Sequence, residues 1–459
     1  MAKEKEMTFE ESLVELENIV KELESGNVDL DKAIEKYSEA MKLAKGCSDK
    51  LNDATLKVNK ILKENGSLED FEVEEECEVL IGYGEHLEDL RVRSFVADRN
   101  FCGSYYAAKG RNKFFYPFQR MGMRYLQVHI YSKCGILHHA GIRKTYYPVK
   151  EKECNSHDPL YRKIHEVGIR TLQLCMHEHY EDCPWREQSL YAYDSRIQML
   201  CGYYAFEEYE FAKASIYLMA HSLRKDGTIE LCSPGKVSIT IPSFTAVFIR
   251  QAKEYLEHSK DKAFIEGIFG SLTKVIEEFE KRIIKYDLLP YFEGDEYWNF
   301  YEWSKYLSGS PKFKELSKEE QPFEANLSAA LSLASRSMSN ICLALDKTTA
   351  SSFYANKADR IAKAIAETFF NPEIGLFFDF TNRTDIQPSA LTQAMCVLCG
   401  AADGLNQDNV ASAISNNGGT CGDIEVIPAT LSMACFRYDA LLKINKEKYN
   451  FHKCCYKQR

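Results

Sequence analysis

Apolar residues near the start of the chain recur at alternating steps of four and three. Phe9, Leu13, Leu16, Val20 and Leu23 form one such stripe, which is the spacing of one face of an α-helix. Thr8-Phe9-Glu10-Glu11 reads as a capping box ahead of it, and Ser25-Gly26-Asn27 as its stop. A second stripe follows Asp29: Leu30, Ile34, Tyr37, Met41, Ala44, Cys47, Leu51, Ala54, Val58 and Ile61, with Asn65-Gly66-Ser67 ending it. The pattern predicts an antiparallel helical hairpin, coiled-coil-like, with arms of about 17 and 35 residues. The short arm covers only half of the long one. Leu51, Ala54, Val58 and Ile61 are left as an apolar seam suited to a partner helix.

Residues 67–78 are acidic and lack apolar period, so they read as a linker. The pattern then shortens to β-rich runs, Val79-Leu80-Ile81, Arg91 to Val96, Tyr125 to Ile130 and Gly141-Ile142-Arg143, which predict a few strands and the remnant of a β-sandwich over 79–150. From 151 to 445 the periodicity is helical, over stretches 160–176, 186–204, 207–224, 243–258, 261–284, 323–343, 351–369, 388–402 and 424–445. The fold class expected is mainly α: a hairpin, a short β segment, then an α/α toroid, with a helical solenoid as the alternative.

Charge divides where the pattern does. The chain has 459 residues and a formal charge of −10. Residues 1–76 hold 11 lysines, no arginine and 21 acidic side chains, while the remainder holds 47 of each sign. The first segment carries the whole net charge, and helices that acidic repel a phosphate backbone. A hydrophobic fraction of 45% excludes a mainly disordered chain. No apolar run reaches the length of a membrane helix, and the charged start is not an export signal, so 16 cysteines read as reduced thiols in the cytoplasm.

One segment concentrates chemistry. His177-Glu178-His179-Tyr180-Glu181-Asp182-Cys183-Pro184-Trp185-Arg186-Glu187 runs on to Tyr191 and Asp194. Pro184 fits the first position of a helix. Glu187, Tyr191 and Asp194 would then share a face, with Asp182 at the helix mouth. Clustered carboxylates raise one another's pKa, and carboxylates beside aromatics are what glycoside chemistry uses. The bland reading is a solvated helix start. The histidines with Asp182 and Cys183 match no closed zinc spacing, so neither metal nor cofactor is expected.

Two resemblances rest on these residues. Phe9-Glu10-Glu11, Leu16-Glu17, Ile19-Val20, Leu23-Glu24-Ser25-Gly26, the Leu30, Ala33, Tyr37 run and Leu51, Ala54, Val58 resemble the small subunit of exodeoxyribonuclease VII over about residues 5–66. That resemblance implies a non-catalytic helical subunit. It implies binding to the large subunit of an enzyme that degrades single-stranded DNA, with catalysis, and any DNA contact, in that partner. Glu181-Asp182-Cys183-Pro184, Arg186-Glu187 and Asp194 resemble the motif of α-L-rhamnosidases of glycoside hydrolase family 78. Ile81 to Glu85, Arg120 to Tyr125, Trp298 to Trp303, Tyr354-Ala355 with Ala358, and Ser389 with Thr392-Gln393-Ala394 extend the likeness over about 77–445. It implies a six-hairpin (α/α)6 barrel, inversion, and a terminal rhamnoside-type sugar. Glu187 is then the general acid. Asp182, Arg186 and Asp194 bind substrate, and Trp298 and Trp303 form aromatic walls.

The family's general base is a Glu near the end of the barrel, whereas residues 446–459 hold no family-like Glu. The helical part therefore reads as truncated, with impaired hydrolysis. Glu293, Glu296 and Glu302 are alternative bases that nothing in the sequence separates. The expectation is a fusion of nuclease subunit and glycosidase domain. The alternatives are a working glycosidase with an incidental coiled coil, and a nuclease subunit with an inert extension.

Overall fold

The computed structural model describes residues 9–24, 29, 32, 35–47, 69–114, 120–283, 286–309, 322–381 and 386–449. They fall into two compact units, 1–144 and 145–459. Thr8, Gly26, the seam of Leu51, Ala54, Val58 and Ile61, and the tail from 450 lie outside the described residues.

In the first unit, helix α1 (Phe9–Glu24) and helix α2 (residues 35–47) form the expected antiparallel pair, with Lys36 Nζ 2.5 Å from Glu22 Oε2. The buried face differs slightly from the predicted stripe. Ser12 and Ile19 of α1 face inward with Ala40 and Cys47 of α2, while Leu13, Val20, Tyr37 and Met41 are exposed. Ser12 and Ile19, like Ala40 and Cys47, stand seven residues apart, so the buried face keeps the heptad spacing and is turned by about one residue from the stripe drawn on α1.

The supposed linker is partly sheet. Strands β1 (Glu69–Val73), β2 (Cys77–Gly84), β3 (Leu87–Glu88), β4 (Arg91–Val92), β5 (Phe95–Val96), β6 (Arg99–Asn100), β7 (Cys102–Ala107), β8 (Gly110–Phe114), β9 (Tyr125–Ile130) and β10 (Gly135–Leu137) follow in order. They build two three-stranded antiparallel sheets, β10-β1-β8 and β7-β2-β9, besides two small hairpins. Phe71 and Val73 alternate inward with exposed acids between and beyond them, a period of two that the acidic composition hides. Arg91 to Val96 divides into two short strands, and Gly141 to Arg143 forms none.

The second unit is a ring of helical hairpins: α3 (Pro159–Leu174), α4 (Ala192–Ala205), α5 (Glu210–His221), α6 (Pro242–Ser259), α7 (Lys262–Arg282), α8 (Ala325–Ala344), α9 (Thr348–Phe369), α10 (Ala390–Cys399), α11 (Asp408–Asn416) and α12 (Ala434–Ile444). Small β-hairpins, β11 (Phe370–Asn371) with β12 (Leu376–Phe377) and β13 (Gly419–Cys421) with β14 (Ile424–Val426), interrupt it. Of the stretch 424–445, only the second half is helix, since Ile424–Val426 pairs back on Gly419–Cys421. Helix α11 escaped the sequence reading because it is short.

Even-numbered helices α4, α6, α8, α10 and α12 pack against one another in series, and each also packs on odd-numbered neighbours. The inner position is written in composition. Helix α8 carries one charge in twenty residues and α10 none, and both are buried nearly all round. Helices α7 and α9 keep a charged outer face. A helix apolar or small on every side belongs in the centre, and an amphipathic one belongs outside. The described residues thus form an incomplete (α/α)6 toroid of five hairpins.

Closure of the ring rests on a buried polar knot. Arg196 of α4 donates to Glu254 of α6 from Nε at 2.9 Å and Nη2 at 2.6 Å, and Arg250 Nε donates to the same carboxylate at 3.1 Å. Both guanidinium carbons lie 5.3 Å from the ring centre of Phe436 on α12. Tyr193 of α4 stacks on Phe436 at 5.5 Å and on Phe244 at 5.3 Å. Removing one member of a buried pair leaves an uncompensated charge. Glu254→Leu is expected to cost about 3–5 kcal/mol of stability, read as a lower urea midpoint. A change below about 1 kcal/mol, the worth of a surface pair, would contradict the role given to the knot.

Candidate active site

Consecutive helices run antiparallel, so the inner five all begin at one end of the ring. The sequence-predicted cluster sits in the loop before α4, at that end. The expected helix from Pro184 does not form. Residues 184–187 make a turn, Gln188 adopts a left-handed φ of 52°, and α4 starts at Ala192. A reciprocal clamp explains the difference. Asp182 N–H donates to Ser189 O, and Ser189 N–H donates to Asp182 Oδ1, both at 3.0 Å. Gln188 Nε2 donates to Pro184 O at 2.8 Å. These bonds take up backbone groups that a helix would use, and a left-handed residue ends any helical run.

The clamp draws the chemistry together. One ligand atom each from Asp182, Cys183 and Glu187 lies within 4.8 Å of the others. Cys183 Sγ–H donates to Glu187 Oε2 at 3.2 Å. All three are half-buried. Burial raises the Asp182 carboxyl above its ordinary value, with the charge of Glu187 adding to the rise, against the lowering by the Ser189 N–H. Burial likewise pushes the Cys183 thiol up to about 11, so it stays a donor. Asp194, in the first turn of α4, is open to water yet surrounded by protein, the setting of a recessed pit. Burial, then Asp182, then Glu187 push it to about 6. Arg186 is exposed, with Nη1 3.9 Å from Glu187 Oε1. Tyr191, the residue before α4, is raised by burial and by the nearby Cys232, Asp182, Glu187 and Asp194.

The proposed aromatic walls stand in the segment between α7 and α8. Trp303 is 69% exposed, 5.8 Å from Trp298 and 4.9 Å from Phe300 between ring centres. Trp298 is half-buried and donates from Nε1 to Ser308 O at 2.9 Å. The link from Asp194 to this wall runs through rings, Tyr193 to Phe244 to Phe300 to Trp303, rather than by direct contact. The histidines turn elsewhere: His177 to Glu181 and Thr145 O, His179 to Tyr180 O.

Three further acids stand at this end of the ring, of which Glu302 was named among the alternative bases and Glu324 and Asp379 were missed. Glu302 is fully buried and accepts from Thr430 N–H at 2.9 Å. Glu324, just before α8, accepts from Tyr301 Oη. Asp379 accepts from Ser389 Oγ at 3.1 Å at the start of α10. Burial pushes Glu324 to about 8 and Asp379 to about 7. The overlooked signal is an acid set in an apolar run, as in Pro322-Phe323-Glu324-Ala325 and Phe377-Phe378-Asp379-Phe380.

Comparison with known proteins separates the two parts of the chain. The family described as exonuclease VII small subunit matches residues 9–60, and the bacterial alpha-L-rhamnosidase 6 hairpin glycosidase domain matches residues 151–415. The exodeoxyribonuclease 7 small subunit of Oceanobacillus iheyensis is 49% identical over 72 residues, covering 16% of this chain and 92% of its own. That of Geobacillus thermodenitrificans is 49% identical over 75 residues, covering 16% and 99%. Among solved structures, the family 78 rhamnosidase of Bacillus sp. GL1 superposes with a TM-score of 0.73 at 23% identity, covering 84% of this chain. This chain spans only 39% of that enzyme's length. A Klebsiella oxytoca rhamnosidase with rhamnose bound gives 0.66 at 17% identity, covering 84% of this chain and 74% of that one. At such identities the likeness is one of fold.

Three of the raised carboxyls, Asp194, Asp379 and Glu324, set a pH dependence. Each keeps a proton when folded that the unfolded chain releases. Their contribution to stability is full below about pH 4 and is lost as pH rises through about 6, 7 and 8 in turn. Urea unfolding of the whole chain is expected to show falling stability from pH 5 to pH 8, with a shallower fall in the Asp379→Asn, Glu324→Gln double variant. An unchanged slope in that variant would refute the assignment.

Proposed function

The chain belongs to two families, the exonuclease VII small subunits through residues 9–60 and the bacterial α-L-rhamnosidase six-hairpin glycosidases through residues 151–415, and we propose that it performs a reduced version of both roles in one molecule. The hairpin binds the large subunit of exonuclease VII and does no chemistry. Single-stranded DNA is met only through that partner. What supports this is the combination of acidic helices with apolar side chains left in water, Leu13, Val20, Tyr37 and Met41 on the described arms, together with the apolar spacing of Leu51, Ala54, Val58 and Ile61 in the sequence.

The helical ring takes a terminal rhamnoside-type sugar. The observation that carries this reading is the clamped loop that holds Asp182 and Glu187 within 4.8 Å of each other beside Asp194 in a recess. Glu187, packed against Asp182 and Cys183, protonates the leaving oxygen. Asp182, Asp194 and Arg186 hold sugar hydroxyls, and Trp298 and Trp303 cover the ring. An inverting pair needs about 6.5–9.5 Å between carboxyls to hold water and sugar, so Asp182 is too near to be the base. We infer weak turnover. Of the three substitute bases, Glu302 is sealed in the protein, and Glu293 and Glu296 stand exposed on a turn. Among the described residues no helix is long and apolar enough to cross a membrane, and free cysteines throughout suit the reducing cytoplasm.

Two measurements test the halves separately. In a pull-down on an exonuclease VII large subunit, the intact chain is expected to bind and the Leu51→Asp, Val58→Asp double variant to be lost. Unaltered capture of the variant would sink the seam as the docking surface. With an aryl α-L-rhamnoside, slow release is expected, reduced at least about 100-fold in Glu187→Gln. Fast turnover by the intact chain would overturn the inferred impairment, and turnover indifferent to Glu187→Gln would overturn the site.

A further inference from the structure

Sheet β7-β2-β9 ends in two edge strands, and its register fixes which backbone groups they leave over. Tyr131 N–H donates to Glu78 O at 3.0 Å, in register with Leu80 opposite His129, Gly82 opposite Gln127 and Gly84 opposite Tyr125. Bonded pairs alternate with unbonded ones along an antiparallel ladder. Tyr125, Gln127, His129 and Tyr131 therefore bond to β2, whereas Leu126, Val128 and Ile130 turn their N–H and C=O groups away from it. Among the described residues no group takes these up.

The other edges of the two sheets are guarded. Strand β8 carries Arg111 and Lys113, and β10 is only three residues long. Strand β7 contains Gly103 and gives Cys102 N–H to Asn100 Oδ1 at 3.0 Å. Strand β9 has no proline, glycine, lysine or acid. Its side chains Leu126, Val128 and Ile130 pack on the small core between the sheets yet stay half-buried. An uncharged edge with free backbone groups and an incompletely covered apolar face is a template for another strand.

The strand is also its own complement. Placed antiparallel to a copy of itself about a two-fold axis at Val128, each edge-facing residue meets another: Val128 meets Val128, and Leu126 meets Ile130. Each bonded pair exchanges both of its hydrogen bonds. On the core side, apolar residues meet apolar residues. On the outer side, Gln127 meets His129 and Tyr125 meets Tyr131, so no like charges are opposed. We infer that a second copy of this chain pairs along β9 and joins the two three-stranded sheets into one. None of these residues belongs to the hairpin seam or the acidic loop, so the inference stands whether or not either half of the proposed function holds.

The full chain is followed by size-exclusion chromatography with light scattering over a dilution series. A dimer that dissociates on dilution is expected. Val128→Pro removes the central edge N–H and no bond to β2, a position where an edge strand accepts proline. It is expected to halve the mass at equal concentration, with an unchanged circular dichroism spectrum. Two double variants read the register, and both keep an acceptor for Val92 N–H at position 127. Gln127→Glu with His129→Glu sets carboxylates opposite each other and is expected to give monomer. Gln127→Glu with His129→Lys sets opposite charges there and is expected to stay dimeric. If Val128→Pro does not fold, these two decide. A monomeric intact chain, an unchanged mass in folded Val128→Pro, or equal masses for the two double variants would each overturn the inference.

Discussion

Two guanidinium groups around one carboxylate join α4 to α6, and both lie against Phe436 of α12, so the end of the helical ring meets its beginning at this knot. Helix α4 and helix α12 are separated by more than two hundred residues, and the plane of Phe436 meets both Arg196 and Tyr193. A toroid of helices is a closed figure, and the curvature of each pair is useful only if the last returns to the first. Apolar packing alone tolerates sliding of one helix on another. A bidentate guanidinium–carboxylate bond does not, because its geometry is fixed in plane and direction. The knot therefore sets the angular position of α4, and the acidic loop before α4 inherits it.

From there the dependence is local. The loop from Asp182 to Ser189 closes on itself through its own bonds, and its Trp185 is buried. Such closure suits acid chemistry. A carboxylate must be held steady against a partner of like charge, and the repulsion has to be opposed by backbone bonds rather than by counterions that would cancel the effect. Asp182 accepts from Ser189 N–H and Glu187 from Cys183 Sγ–H, while the partly exposed Arg186 pairs with Glu187 only at 3.9 Å.

Much of this was legible in sequence because burial leaves a periodic trace. The hairpin, the order of long helices and the Asp182, Glu187, Asp194 motif followed from apolar spacing and family likeness. What stayed hidden has physical reasons. The stretch Ser67 to Glu78 looked like a linker because it is acidic, and Glu72, Glu74, Glu75, Glu76 and Glu78 do face solvent, yet Phe71 and Val73 were enough to seat a strand. The turn at Pro184 to Gln188 looked helical because proline opens helices and the following residues are good helix formers. Tertiary bonds from Ser189 overrode that preference. Glu324 and Asp379 were passed over because a single acid in an apolar run has no period to betray it, and its burial is decided by residues far away in the chain.

The parallel arrangement of the inner helices has an electrical consequence. Peptide dipoles in α4, α6, α8, α10 and α12 add along one axis, so the ring is polarised, with partial positive charge at the end bearing the carboxylates and partial negative charge at the other. Lys443 already answers the second pole, donating to the carbonyl of Val397 in the last turn of α10 at 2.8 Å. The two rims of the ring are therefore not interchangeable surfaces. One tolerates added acids and the other added bases.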